Sequence, residues 1–276
     1  MGVEVRIVLY AAGGETAQRA ARAAFERIAL LEDVMSDYRS ESEVRRLERQ
    51  EGAWVRVSDE LFAVLGRAVE VAEATDGAFD PTVGPLVALW RTARRSGQLP
   101  SSRTLDSARS LVGWRHIALD SMGQRVRLMR ARMRLDLGGI AKGFILQQAV
   151  AVLHARGIRS ALVEAGGDIA LGDGPPARHG WGIAVADTTL VLANTSVATS
   201  GPQMQFVEIG GVRYSHIVDP RTGLGITSSR QATVIAADGA LADALATALT
   251  VLDANGRARA LARFPRVQGG VAERGW

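Results

Sequence analysis

The sequence has no cysteine and only one lysine, Lys142, among its 276 residues. Without cysteine there can be no disulfide, no thiolate nucleophile, and no zinc or iron–sulfur site that uses cysteine ligands. No apolar run is long enough to predict a membrane-spanning segment. Aromatic residues make up only 5% of the chain, so the core is expected to consist mainly of Ala, Val, Leu and Ile.

The composition is that of a globular protein, with 47% hydrophobic and 22% charged residues, which excludes a mainly disordered chain. The formal net charge is only +4, because 33 basic residues face 29 acidic ones. The alternating arginines between 125 and 134 favour the solvated face of a β-hairpin over a phosphate-tracking surface. We therefore predict no nucleic-acid partner.

The first ten residues alternate like a β-strand and carry an acidic residue near the start, which is not the pattern of a signal peptide. We therefore expect a cytoplasmic protein, or one from which a targeting segment has been removed.

The order of predicted elements is that of an α+β fold with mixed strands, not a regular βαβα series. Ser40 and Glu43 are predicted to form a capping box, and Ser58 to cap the following helix. Residues 96–104 are expected to be an exposed connection. The predicted helices are 15–34, a short one ending at 47, 58–74, 83–95, a long one opened by residues 136–143 and ending near 156, 239–252 and a weaker one to 264. The predicted strands are 3–10, 54–57, 116–119, 125–129, 132–136, 160–164, and several short ones between 169 and 236.

A glycine-rich segment, residues 136–143, joins a predicted strand to a long helix. The free N–H groups at a helix start favour an anion, and Lys142 adds a positive charge one turn in. The spacing fits neither a P-loop nor a dinucleotide fingerprint. The pattern therefore indicates either a phosphate site or a tight turn with a solvated lysine.

The helix around residues 240–249 is apolar on nearly every side and is predicted to be buried. Asp243 within it must be paired or bound to a cation, and Thr247 lies one turn later on the same face. Their oxygens suit Mg²⁺. The alternative is that Asp243 pairs with a buried arginine while Thr247 bonds to a carbonyl of its own helix.

Two further segments carry candidate residues. His216, beside an Asp-Pro turn, has the chemistry of a base near neutral pH, although a lone histidine is more often structural. Met35 and Phe79 stand next to turn residues, where they could enclose a planar ring or simply fill the core.

Taken together, the motifs resemble the ApbE family, the FAD:protein FMN transferases. They occur in the family's order and cover roughly residues 2–252. The matching stretches are Met35–Tyr38 with Ser42–Glu43, Gly77–Leu86, Asp136–Gly143, Ala165–Asp168, Ala198–Gly201, Tyr214–Gly223 and Ala242–Leu249.

The resemblance assigns roles to individual residues. Asp243 and Thr247 match the family's metal ligands, together with the backbone carbonyl of Gly139. His216 matches a histidine of the transfer step, so that His216 and Asp243 are the implied catalytic residues. The positions that match FAD contacts are Met35, Ala78, Phe79, Asp80, Asp136, Lys142 and Ile217.

The resemblance also implies a fold and an activity. The fold is an α/β structure with a T-fold-like portion, expected here as one catalytic domain over residues 1–276 or as two lobes. The activity is Mg²⁺-dependent cleavage of FAD, with FMN joined through a phosphoester to a Thr or Ser of an acceptor flavoprotein and AMP released. The alternatives are a Mg²⁺-dependent FAD pyrophosphatase and a flavin-binding protein without turnover. Many family members lie outside the cytoplasmic membrane.

Overall fold

The computed structural model describes residues 3–202 and 205–273. The helices in these two ranges are α1 (Gly14–Met35), α2 (Glu43–Glu48), α3 (Asp59–Ala74), α4 (Gly84–Ser96), α5 (Ser102–Arg109), α6 (Ala141–Ala155), α7 (Gly239–Val251) and α8 (Ala254–Ala262). The strands are β1 (Val5–Leu9), β2 (Val55–Arg56), β3 (Ile117–Asp120), β4 (Arg125–Leu128), β5 (Ala161–Ala165), β6 (Asp168–Leu171), β7 (Trp181–Val185), β8 (Thr188–Leu192), β9 (Ser196–Ser200), β10 (Phe206–Ile209), β11 (Val212–Ser215), β12 (Arg230–Ala236) and β13 (Gln268–Glu273).

The largest sheet is antiparallel, with strand order β1-β5-β6-β9-β12-β13. Its side chains alternate between two faces, as the period of a strand requires. Val163 of β5 and Val234 of β12 belong to the main core with α6 and α7, whereas Leu162 and Ile235 face the β7–β8 hairpin. The main core therefore lies between this sheet and the helices.

A smaller apolar cluster lies beside the main core. It joins α4 and α5 to the β10–β11 hairpin and includes Leu86, Trp90 and Val218. The Trp90 indole donates a hydrogen bond to the carbonyl of Gly223 at 2.8 Å, so α4 fixes the loop that follows His216.

The predicted helices 15–34 and 239–252 are confirmed almost to their ends, whereas other predicted elements need correction. The N-cap of α2 is Ser42 and not Ser40, because Ser42 Oγ accepts from Arg45 N at 3.2 Å. The Glu43 carboxylate instead accepts two hydrogen bonds from Ser58, at the start of α3. Residues 96–104, predicted to be an exposed connection, are largely exposed, and helix α5 begins inside this stretch.

Residues 132–136 do not form the predicted strand. Their backbone N–H groups donate to side chains and a loop: Leu135 N to Glu48 Oε1 at 2.7 Å, and Asp136 N to the carbonyl of Pro81 at 2.8 Å. The third strand beside the β3–β4 hairpin is β2. Residues 132–136 instead lead, through a turn at 138–140, into α6.

Helices α6 and α7 cross closely at two glycines. A Cβ atom on Gly143 would lie 1.9 Å from the carbonyl oxygen of Gly239, and a Cβ on Gly239 would lie 2.3 Å from that of Gly143. Only glycine permits this approach, which brings the first turn of α7 against the first turn of α6. In the described ranges, no helix combines the length and the apolar character that crossing a bilayer requires.

Candidate functional site

Three charged side chains from separate elements meet where α6 and α7 cross. Lys142 Nζ lies 2.6 Å from Asp168 Oδ2 and 3.1 Å from Asp243 Oδ1. The carboxylate side chains are 2% and 1% exposed, and that of Lys142 is 24% exposed. We call Lys142, Asp168 and Asp243 the inner cluster. The cation that buried Asp243 requires is thus the only lysine of the chain, not an arginine.

Asp243 also stabilises the start of α6. Helix α6 has no side-chain cap of its own and no acidic residue in its first turn. Asp243 Oδ2 accepts a hydrogen bond from Gly143 N at 3.1 Å. A carboxylate is favourable at this position, because the first N–H groups of a helix lack partners and carry partial positive charge.

Thr247 lies one turn beyond Asp243, next to Gly139. A Cβ on Gly139 would be 2.9 Å from Thr247 Oγ1, so any side chain there would press on the hydroxyl. Thr247 Oγ1 also lies 3.2 Å from Ser200 Oγ at the end of β9. The structure therefore brings Gly139, Thr247 and Asp243 to the same end of α6, although no three His, Cys, Asp or Glu side chains of the described residues form a metal-binding group.

The inner cluster has strongly perturbed electrostatics. Burial raises the pKa of Asp168, and the nearby Asp243 carboxylate raises it further, while the Lys142 ammonium opposes both. Burial by itself would lower the pKa of Lys142, but the two carboxylates outweigh it and the net pKa is raised. Lys142 is therefore a permanent cation at neutral pH.

A second acidic pair lies at the other end of the 136–143 segment. Arg91 of α4 places Nη2 2.5 Å from Asp37 Oδ2 and 3.6 Å from Asp136 Oδ2. Its guanidinium stacks 4.3 Å from the ring centroid of Tyr38, whose side chain is largely exposed. Burial raises the pKa of Asp136, and the Asp37 carboxylate adds to the rise. We call Asp37, Arg91 and Asp136 the outer cluster.

His216 is held by a single carbonyl. Its backbone N–H and its Nδ1 contact the Gln205 carbonyl oxygen at 3.0 and 3.1 Å. Because a carbonyl can only accept, Nδ1 carries the proton, which leaves Nε2 of the neutral ring able to take one. Burial lowers the pKa of His216, the hydrogen bond to the Gln205 carbonyl opposes this, and the positive charges of Arg94 and Lys142 lower the pKa further. The ring is therefore a neutral base at pH 7, within electrostatic reach of the inner cluster.

The remaining candidate residues are mostly buried. Met35, Ala78 and Phe79 belong to the main core, and Ile217 is also buried. The ring edge of Phe79 nevertheless comes within 3.5 Å of a Cβ built on Gly139. The side chain of Asp80 accepts hydrogen bonds from Thr82 and from Trp114 N, so it organises the loop before α4.

Sequence reasoning gave no role to Asp168, Asp37 or Arg91. Asp168 carried a signal, because it follows a glycine pair within one of the recognised motifs. Both glycines of that pair have positive φ, +54° and +90°, as a tight two-residue hairpin turn requires. Arg91 carried no signal, since nothing distinguished it from the other arginines of the chain.

The structure defines a class of protein with a mixed α+β fold and an acidic pair bridged by a cation at a helix start. Comparison of the chain with known proteins identifies this class. The model of the ApbE family matches residues 1–269. An FAD:protein FMN transferase of Treponema pallidum is 37% identical over 260 residues, covering 86% of this chain and 72% of that protein. One of Chlamydia muridarum is 33% identical over 227 residues, covering 80% and 72%. The chain belongs to the ApbE family.

Solved structures agree with this assignment. The ApbE protein of Thermotoga maritima superposes with a TM-score of 0.86 at 30% identity, covering 99% of this chain and 94% of that one. The flavin transferase ApbE of Vibrio cholerae gives 0.82 at 30% identity, covering 98% and 89%. The predicted α+β fold is therefore that of the family.

Proposed function

We propose that this chain is an FAD:protein FMN transferase. The observation that carries the proposal is the similarity to proteins of that name over most of the chain, at up to 37% identity among those described above. The inner cluster supports it, because its residues lie at a helix start where a diphosphate can be bound. We further propose that residues 1–276 act as one catalytic domain, since the cluster draws on residues from position 142 to position 243.

The residues at the start of α6 fit a magnesium ion. Carboxylate, hydroxyl and carbonyl oxygens are the hard ligands that Mg²⁺ prefers, and it retains sites for water and phosphate oxygens. Asp243, Thr247 and the backbone carbonyl of Gly139 would hold it. When bound, it supplies positive charge to the phosphoryl oxygens in the transition state.

The other residues would bind and orient the substrate. Lys142 and the N–H groups at the start of α6 attract the diphosphate, and Asp136 with Met35, Ala78, Phe79, Asp80 and Ile217 forms the rest of the FAD site. His216 Nε2 takes the proton from the acceptor Thr or Ser hydroxyl. The hydroxyl oxygen then bonds to the phosphorus on the FMN side, the diphosphate P–O bond breaks, and AMP leaves with that bond's electrons.

The test uses FAD, Mg²⁺ and a set of peptides that carry Thr or Ser, followed by peptide mass measurement and chromatography of nucleotides. We expect one peptide to gain the mass of FMN less water, with an equal amount of AMP released. Free FMN and AMP without any peptide would instead identify a pyrophosphatase. FAD binding without AMP under either condition would identify a flavin-binding protein and contradict the proposal.

A further inference from the structure

We infer that Asp168 is a positioning residue, which directs the Lys142 ammonium and offsets its charge beside Asp243; this inference rests on the proposed function. The contact of Lys142 with Asp168, 2.6 Å, is shorter than its contact with Asp243, 3.1 Å. Asp168 is also almost completely buried. Its carboxylate is therefore the primary partner of the only ammonium side chain in the protein.

Asp168 is itself held rigidly. It begins β6, directly after the Gly166–Gly167 turn, and its Oδ1 accepts from Thr199 N at 3.1 Å. The next residue, Ser200, contacts the Thr247 hydroxyl. The end of β9 therefore holds Asp168 with the backbone N–H of Thr199 and contacts Thr247 with the hydroxyl of Ser200. Asp168 and the proposed metal ligand Thr247 are thus positioned by the same strand.

The charges explain what Asp168 contributes. Two carboxylates and one ammonium leave the inner cluster with a net charge of −1 when all three are ionised. If Asp168 were neutral, the ammonium would be left with Asp243 alone and would cancel its charge. Since a buried ion pair has little attraction left for a further cation, Asp243 would become a poor ligand for Mg²⁺. Asp168 therefore acts through Lys142 on Asp243.

The Asp168→Asn variant separates this role from a structural one. The amide oxygen of asparagine still accepts a hydrogen bond from Thr199 N, but the side chain no longer pairs with an ammonium ion. Asp168→Glu restores the charge on a longer side chain. Asp173→Asn is the matched control, because Asp173 pairs with Arg159 outside the inner cluster at 2.7 Å.

The single lysine provides a direct spectroscopic readout. Protein labelled at the lysine Cε carbon gives one side-chain signal, and an immobilised side chain shows two distinct shifts for its two Hε protons. We expect two shifts in the wild type and the same two in Asp173→Asn, but two shifts at changed positions in Asp168→Asn, because the ammonium then moves to pair with Asp243 alone. Two unchanged shifts in Asp168→Asn would overturn the inference, because Asp168 would then not hold Lys142.

Kinetics provide the second readout. Outer partners of metal ligands typically contribute 10–100-fold, so we expect kcat for AMP release to fall by about that factor in Asp168→Asn. Asp168→Glu should recover part of the loss, and Asp173→Asn should match the wild type. An Asp168→Glu variant that folds but is as slow as Asp168→Asn would show that the charge is not what matters. Absence of AMP from the wild type would instead refute the proposed function.

Discussion

The inner and outer clusters are both acidic pairs bridged by one basic side chain, and they lie at opposite ends of the 136–143 segment. In the inner cluster the carboxylates are 1–2% exposed and the bridge is an ammonium. In the outer cluster they are each 14% exposed and the bridge is a guanidinium, 27% exposed. Because removing one partner of a buried ion pair is far more costly than removing one near solvent, the two ends should respond differently to mutation.

The two clusters also differ in the basic residue that bridges their carboxylates. Arginine is planar and stacks on aromatic rings, as Arg91 does on Tyr38. Lysine is a compact point charge on a flexible stem, and it fits between two carboxylates that approach from different elements. We therefore expect the inner cluster to control turnover and stability, and the outer cluster to adjust substrate affinity.

The largest effect is expected for Asp243→Asn. The amide oxygen still accepts from Gly143 N, so the fold should persist, but the negative charge of the proposed metal ligand is lost. We expect kcat to fall roughly 10³-fold, which corresponds to about 4 kcal/mol of transition-state stabilisation. AMP release from FAD at a series of Mg²⁺ concentrations measures it, and turnover within tenfold of the wild type would mean that Asp243 binds no essential metal.

Lys142→Met should lower the free energy of unfolding. It leaves two buried carboxylates without a cation, which costs about 3 kcal/mol or more at pH 7. Burial raises the pKa of Asp168 in the folded state, so the folded protein binds protons more tightly and the lost stability should return as the pH falls. FAD affinity should also weaken.

Urea unfolding at several pH values tests this prediction. Arg159→Met is the control, because its exposed pair with Asp173 should contribute less than about 1 kcal/mol. Equal losses in the two variants would show that the burial of the inner cluster has no energetic consequence.

Arg91→Met should act on substrate affinity. Asp136 and the Tyr38 ring would lose their common support, and we expect KM for FAD to rise about tenfold, equivalent to ~1.4 kcal/mol, with little change in kcat. Steady-state kinetics measure both constants. Arg95→Met, on the same helix but exposed, should leave both unchanged, and a large fall in kcat for Arg91→Met would remove the distinction between the clusters.

The smallest effect concerns pH. Burial and two positive charges lower the pKa of His216, so kcat/KM should fall on the acid side with a midpoint below the ordinary 6.5. Arg94→Met removes one of those charges and should move the midpoint upward, toward 6.5. A pH profile that Arg94→Met leaves in place would mean that the acid limb belongs to another group.

Much of the fold follows from local patterns. The helices around residues 15–34 and 239–252 were predicted almost to their ends, because apolar spacing and caps are properties of the local sequence. The failures have a common cause. Residues 132–136 alternate like a strand, but their backbone N–H groups donate to a side chain and a loop carbonyl that are distant in sequence. The local sequence pattern cannot predict such partners.

The candidate site shows the same limit. The sequence required a partner for Asp243, because a buried charge on an apolar helix must be compensated. It could not identify Lys142, since that contact depends on two glycines, at 143 and 239, that are 96 positions apart. The sequence likewise gave no indication that Arg91 bridges Asp37 and Asp136. These three residues lie in separate segments, and no single sequence motif contains all of them.

The pairing of the only lysine with two carboxylates has a practical consequence. Lys142 is permanently protonated between two carboxylates, so its nitrogen has no free electron pair with which to attack a reagent. Amine-directed dyes and coupling resins should consequently react poorly with the Lys142 side chain. Reagents of this kind should therefore leave the ammonium of the inner cluster unmodified.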